Sequence, residues 1–263
     1  MRINTTLLGV FASLGLAVSG HAQLTAADDF ENYASNPVGA AGGTGDWTGN
    51  WGNNSQNGGG SYLNTNSMID GTKTLSLFGL GSNTGQSVSR PFPPCTNTLT
   101  IGFSMRGNYN VNGTGNPTNL RRMAFTVRSG NEASHFSNQR VSFFFAAGST
   151  NLQWYDGTDR STTSVNFTTN HVVDIRAVFQ PTNRAYSFVA SNRNNGTAFS
   201  YAGTWTTGAA GDPLGSVAFM MRGPSGTGND AFLDSVSVSA PDYAAPSLPR
   251  LPIPDGDPCP PFH

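Results

Sequence analysis

Six times along this chain, apolar side chains recur at every second position and then stop at a turn. Leu99, Ile101, Phe103 and Met105 form one such run, and Met123, Phe125 and Val127 form the next. Val141 to Phe145, Val173 to Phe179, Tyr186 to Ala190 and Val217 to Met221 repeat it. A period of two marks a half-buried strand, because successive side chains leave a strand on opposite faces. Turn chemistry separates the runs at Gly107-Asn108, Asp156-Gly157, Gln180 to Asn183 and Asn194 to Gly196. The stretch from Val172 to Ser191 predicts a hairpin closing around Pro181. No stretch carries a sustained helical period. With 32 Gly, 16 Pro and 11% charged residues, a coiled coil or helical bundle is excluded. Residues 24 to 240 therefore predict one all-β domain, an antiparallel two-sheet sandwich or jelly roll with long loops. No internal repeat points to a propeller or β-helix.

The ends differ from the middle. Met1-Arg2 is a short basic start, Leu7 to Val18 is apolar or small, and Gly20 and Ala22 follow. That order predicts a secretory signal over residues 1–22, cleaved after Ala22 or, alternatively, after Ser19. The apolar run is shorter than the roughly 20 residues a membrane span needs. The expected location is extracellular or periplasmic. Residues 241–263 hold half of the prolines and predict an extended tail. The two cysteines are Cys95 and, in that tail, Cys259. Export permits a bridge between them; two free thiols are the alternative. A formal net charge of -1 implies no nucleic-acid partner.

The domain opens on Asp28-Asp29-Phe30-Glu31-Asn32-Tyr33, carries the hairpin Val172 to Ser191, and closes on Ala231 to Val238. On these residues the stretch from 24 to 240 bears a resemblance to the concanavalin A-like jelly roll of lectins, glucanases and laminin-G-like modules. It implies that the first and last strands pair and seal the sandwich. The shorter galactose-binding-like modules share the opening and closing motifs and are the second choice.

Candidate chemistry follows from residue type and parity. Glycoside hydrolysis normally needs two carboxylates flanking the bond. The only glutamates, Glu31 and Glu132, are far apart, and the paired-Glu strand of the glucanases is absent. The Asp pairs Asp156/Asp159 and Asp230/Asp234 lie in or beside turns. The even-numbered partners of the apolar runs include Arg106, Arg122, Arg128, Arg140, Arg176 and Arg222. If their strands share one sheet, they line a face suited to carboxylates or sulfates; otherwise they solubilise strand ends. Trp47 and Trp51, in a Gly/Asn-rich loop, are candidate sugar-stacking residues with Arg106, Arg122 and Arg128 as further ligand contacts. A β-eliminating lyase would use His135, Gln139, Arg140 and Tyr155, with a base removing the uronate C5 proton. Asp234 shares parity with Phe232, Val236 and Val238, which puts a carboxylate on an apolar face. Asp29, Glu31 and Asp234 are then expected to hold a structural calcium ion, the alternative being a β-bulge that turns Asp234 outward.

Three functions are weighed: a secreted domain binding an extracellular or cell-surface polysaccharide, a lyase cleaving a uronate polysaccharide, and a surface attachment module. Binding leads because no catalytic motif is present.

Overall fold

The computed structural model describes residues 23–53, 60–78, 85–108, 121–130, 138–146, 149–157, 160–168, 170–222 and 230–241. Among the described residues there is no helix. Sixteen strands follow one another: β1 (Leu24–Asp28), β2 (Thr44–Gly45), β3 (Gly52–Asn53), β4 (Gly60–Asn64), β5 (Thr74–Phe78), β6 (Gly85–Cys95), β7 (Leu99–Asn108) and β8 (Arg121–Arg128). Then come β9 (Gln139–Ala146), β10 (Asn151–Tyr155), β11 (Arg160–Asn166), β12 (Val172–Gln180), β13 (Ala185–Asn192), β14 (Ala198–Thr204), β15 (Leu214–Arg222) and β16 (Asp230–Ala240).

They form two antiparallel sheets. One has nine strands in the order β14-β13-β12-β7-β16-β1-β2, with β5 also on β16 and β4 on β5. The other has seven in the order β11-β10-β9-β8-β15-β6-β3. The two pack face to face as a jelly-roll sandwich. Every run of alternating residues predicted above is a strand, and its apolar residues, odd-numbered in five runs and even-numbered in Tyr186 to Ala190, form the shared core. Phe103 of the first sheet stacks on Phe125 of the second, ring centroids 3.6 Å apart. Phe143 meets Phe188 edge-on at 4.9 Å. The hairpin β12–β13 pairs Val173 with Asn192 through to Gln180 with Ala185, and Arg184 closes its turn at φ 59°. The terminal strands pair from Leu24↔Ala240 to Asp28↔Val236.

One strand changes neighbours. From Asp230 to Leu233, β16 lies between β5 and β7; from Val236 onward it lies between β1 and β7. A β-bulge between Asp234 and Ser237 marks the change, with Ser235 at φ 52°. The bulge also reverses parity. Ala231 and Leu233 face the core before it; Val236, Val238 and Ala240 face the core after it. Asp234 pairs with Ser104 and so points to the opposite face, as the bulge alternative required. It does not share a face with Val236 and Val238.

Candidate functional site

The outer face of the nine-stranded sheet carries three adjoining depressions of about 500, 450 and 260 Å³. The first lies over β12–β14, the second over β7, β12 and β13 and reaches Ser235, and the third over β16, β1 and β2. Arg176 and Val189 line the first two, and Ser235 lines the second and third. Together they cross seven neighbouring strands, whose six spacings of about 4.8 Å add to about 29 Å. The floor is built from small side chains, among them Ser187, Ser191, Gly102, Ser237 and Ala27. This follows from the alternating sequence: Ile101, Phe103, Tyr186, Ala190 and Val236 face the core, and each is followed by Gly or Ser on the outer face. At Gly102 the smallness is required, since a Cβ there would lie 2.8 Å from Ser237 Oγ.

Beside the second depression stands a fan of charged groups. Arg193 Nε and Nη2 donate to the two oxygens of Asp174 at 2.6 and 2.7 Å. Its Nη1 and Nη2 donate to Asp70 at 2.7 and 2.9 Å, and Nη2 also reaches Ser104 Oγ at 3.1 Å. Ser104 Oγ donates in turn to Asp174 at 2.6 Å. Hydrogen bonds from Arg193 hold the Asp70 carboxyl below the usual carboxylate range, and Asp174 and Asp70 push the Arg193 guanidinium up. These groups are fixed in place before any ligand arrives, which lowers the ordering cost of binding.

The third depression ends against a wall held by a buried ion pair. Asp28, the last residue of β1, pairs with Arg90 of β6. Asp28 Oδ2 also accepts from Tyr33 Oη and Trp51 Nε1, each at 2.8 Å. Burial, with the Asp28 charge beside it, pushes the Tyr33 hydroxyl well above its ordinary value. Arg90 Nη2 donates to Gly42 O at 2.5 Å, and its guanidinium lies 4.5 Å from the Trp47 ring centre. Trp47 Nε1 donates to Ala27 O at 3.1 Å. The loop from Pro37 to Trp51, which carries Thr44, is thus pinned to the first strand. Trp51 is fully buried and cannot stack on a sugar, and Trp47 is half-buried over Arg90. The expectation of a free aromatic pair gives way to an anchor, because indole N–H groups find partners when buried.

The expected arginine face is divided. Arg106 and Arg176 are on the nine-stranded sheet, whereas Arg122, Arg128, Arg140 and Arg222 belong to strands of the other. Arg106 donates to Met68 O and to Asn170 Oδ1 and lies over the Phe232 ring. Arg128 is buried. The Arg122 and Arg222 side chains lie outside the described residues. Of the lyase set, Tyr155 pairs with Ser142, whose hydroxyl donates to Gln139 Oε1 at 3.3 Å, so these two share a neighbourhood. Arg140 turns away to Ser129 Oγ at 2.8 Å and Asp212 at 3.0 Å, because a register shift at this end of β9 leaves it without a cross-strand partner. His135, Asp159, Cys259, the N-terminal segment and the C-terminal tail lie outside the described residues. Cys95 is buried, and its thiol donates to Asn97 O at 3.7 Å.

The carboxylates expected to hold calcium lie around the gap where β16 changes partners. The ends of β1 and β5 expose backbone N–H groups there, and the carboxylates accept them. Glu31 Oε1 accepts from Thr72 N at 2.5 Å and Lys73 N at 2.9 Å, and Oε2 from the Thr72 hydroxyl at 2.6 Å. That hydroxyl, together with the backbone bonds, lowers the Glu31 pKa. Asp29 Oδ1 accepts from Glu31 N at 3.2 Å. Asp234 accepts from Asp70 N at 3.0 Å and Ser235 N at 2.7 Å. Burial pushes the Asp234 carboxyl up to about 7, against those two bonds and with the charges of Asp70 and Glu31. The Lys73 ammonium donates to Glu31 O at 2.7 Å and Tyr33 O at 2.9 Å. A cation that is part of the chain therefore already holds these two carbonyls. Calcium asks for six to eight oxygens at 2.3–2.6 Å, and the described residues gather no three metal-ligating side chains. Lys73→Met is expected to lower stability by about 1.5 kcal/mol, the scale of a hydrogen bond to a charged group. Excess chelator is expected to leave the thermal midpoint of the parent protein unchanged, and a chelator-induced fall would contradict this account of the corner.

The sequence reading missed Asp70, Asp174 and Arg193. The parity of Asp174 with Arg176 in the hairpin was an available signal. Asp70 and Arg193 come from loops, where period carries no information.

No protein-family model matches the chain, and no curated protein matches it. Among solved structures, the chain is similar to arcelin-5, a lectin-like defense protein from Phaseolus vulgaris, with 12% identity over 82% of this chain and 98% of that one and a TM-score of 0.48. It is similar to lectin II from Ulex europaeus, with 12% identity over 69% and 89% and a TM-score of 0.44. It is also similar to peanut lectin, with 10% identity over 83% and 98% and a TM-score of 0.43.

Proposed function

We propose that this chain is an exported carbohydrate-binding domain that takes an extended polysaccharide along the outer face of its nine-stranded sheet. The observation that carries the reading is the groove itself. It is long and shallow, has a floor of small residues, and is flanked by a preformed fan of carboxylate and guanidinium groups. A flat sugar ring needs such a floor, and its hydroxyls need fixed donors and acceptors. A length of about 29 Å suits a polymer better than a single sugar. Binding without cleavage is favoured because Asp174 is already committed to Arg193 and Ser104. Export rests on the apolar N-terminal segment; in addition, no helix of the described residues is long and apolar enough to cross a membrane.

Ser187 is exposed on the floor of the first depression, so a larger side chain there would fill the groove without entering the core. Ser187→Trp is expected to weaken retention in polysaccharide affinity gels at least tenfold while leaving the thermal midpoint unchanged. Equal retention of the two proteins would contradict the reading.

A further inference from the structure

We infer that the polysaccharide is acidic and that Arg176 receives its anionic group, an inference that rests on the groove reading above. Arg176 stands on β12 where the first two depressions meet. Its cross-strand neighbours are Val189 on β13 and Gly102 on β7, and neither has a side-chain acceptor for a guanidinium. The next carboxylate along its own strand face, Asp174, has both oxygens bonded to Arg193. Among the described residues Arg176 enters none of the ion pairs. This sets it apart from Arg90, Arg106, Arg140 and Arg193, each held by a carboxylate or carbonyl.

The surroundings explain what that charge is for. The depression over β12–β14 holds one charge, and it is positive; Val178, Ser187, Phe188, Ser200, Tyr201 and Ala202 line it with Val189. Val189 is 54% exposed directly beside Arg176. An apolar patch next to a planar fork of donors matches a sugar ring whose C–H face rests on Val189 while its acid group reaches Arg176. Without a Cβ at Gly102, the other side of Arg176 stays open. The shared chemistry is a carboxylate or a sulfate on a polysaccharide chain.

The test uses the full chain in affinity gels cast with polygalacturonate, dextran sulfate or a neutral β-glucan. The wild type, Arg176→Gln and Ser187→Trp are compared, and thermal midpoints confirm that each is folded. The wild type is expected to bind an acidic polymer at least tenfold more tightly than the neutral one. Arg176→Gln is expected to lose that preference, and Ser187→Trp to lose binding to all three. Preference for polygalacturonate assigns a carboxylate, and preference for dextran sulfate assigns a sulfate. Unchanged acidic preference in Arg176→Gln overturns the inference. Binding of the wild type to the neutral glucan as tightly as to the acidic polymers, abolished by Ser187→Trp, also overturns it but leaves the groove reading standing. Acidic binding that Ser187→Trp does not weaken removes the groove reading and the inference together, and so does failure of the wild type to bind any of the three.

Discussion

Asp28→Ala is expected to destabilise the domain by about 3–5 kcal/mol, the cost of leaving a buried charge without its partner. Arg90 is buried, and Asp28 is its only carboxylate partner among the described residues. The substitution also removes the acceptor of Tyr33 Oη and Trp51 Nε1, so three donors lose their common oxygen. The double variant Asp28→Ala/Arg90→Met is expected to be less destabilised than the sum of the two single changes, because an uncharged side chain needs no counterion. Denaturant unfolding measures both. A loss below about 1 kcal/mol for Asp28→Ala would mean that solvent reaches Arg90 and that the pinned loop is no anchor. The consequence for function is local. Thr44 lies on that loop and lines the end of the groove, so a folded variant of this pair should bind long polymers less well.

Asp234→Asn is expected to change how stability depends on pH. Burial raises the Asp234 carboxyl from the ordinary 3.8 to about 7 in the folded chain. Between those values the folded chain holds a proton that the unfolded chain releases. Stability from this group is therefore greatest below about pH 4, declines as pH rises to about 7, and stays low above it. The full difference is at most about 4 kcal/mol, taking 1.36 kcal/mol for each pH unit. The groups facing the carboxyl are Asp70 and Glu31, with Arg193 behind Asp70. Asparagine carries no charge at any pH, but it offers one oxygen where the carboxylate offers two. The variant should accordingly be less stable than the parent at pH 5, by about 1 kcal/mol for a lost hydrogen bond. It should then approach or overtake the parent at pH 8. Urea midpoints of both proteins across this range isolate Asp234 from the other carboxylates. A constant difference between them would show that Asp234 does not titrate in that window.

These expectations depend on features the sequence revealed unevenly. The strands and their inward faces were legible, because a period of two is local and each run spans several residues. The β12–β13 hairpin was legible because turn residues and alternation agree there. Asp234 was misplaced by the parity argument for a definite reason: one extra residue at Ser235 reverses the faces, and Ala-Phe-Leu-Asp-Ser-Val gives no sign of it. Sheet membership was equally hidden. Arg106 and Arg128 have the same parity, yet their strands lie in opposite sheets, so one expected arginine face became two. Trp51 looked exposed in a Gly- and Asn-rich loop, but its indole reaches Asp28 from 23 residues away in the chain. The groove combines both cases. Its small floor could be read from the alternating Ser, Gly and Ala, whereas the fan at Arg193 joins residues 123 apart.

The central claim is that ligand lies across the outer face of the nine-stranded sheet. Backbone amide chemical shifts, recorded while an oligosaccharide of the best-retained polymer is titrated in, test it most directly. The account predicts saturable shifts at Gly102, Ser104, Arg176, Val189 and Ser191, extending toward Ser237 as the oligosaccharide lengthens. Shifts confined to Thr126, Gln139, Ser142 and Tyr155 on the seven-stranded sheet would contradict it and move the site to the other face of the sandwich.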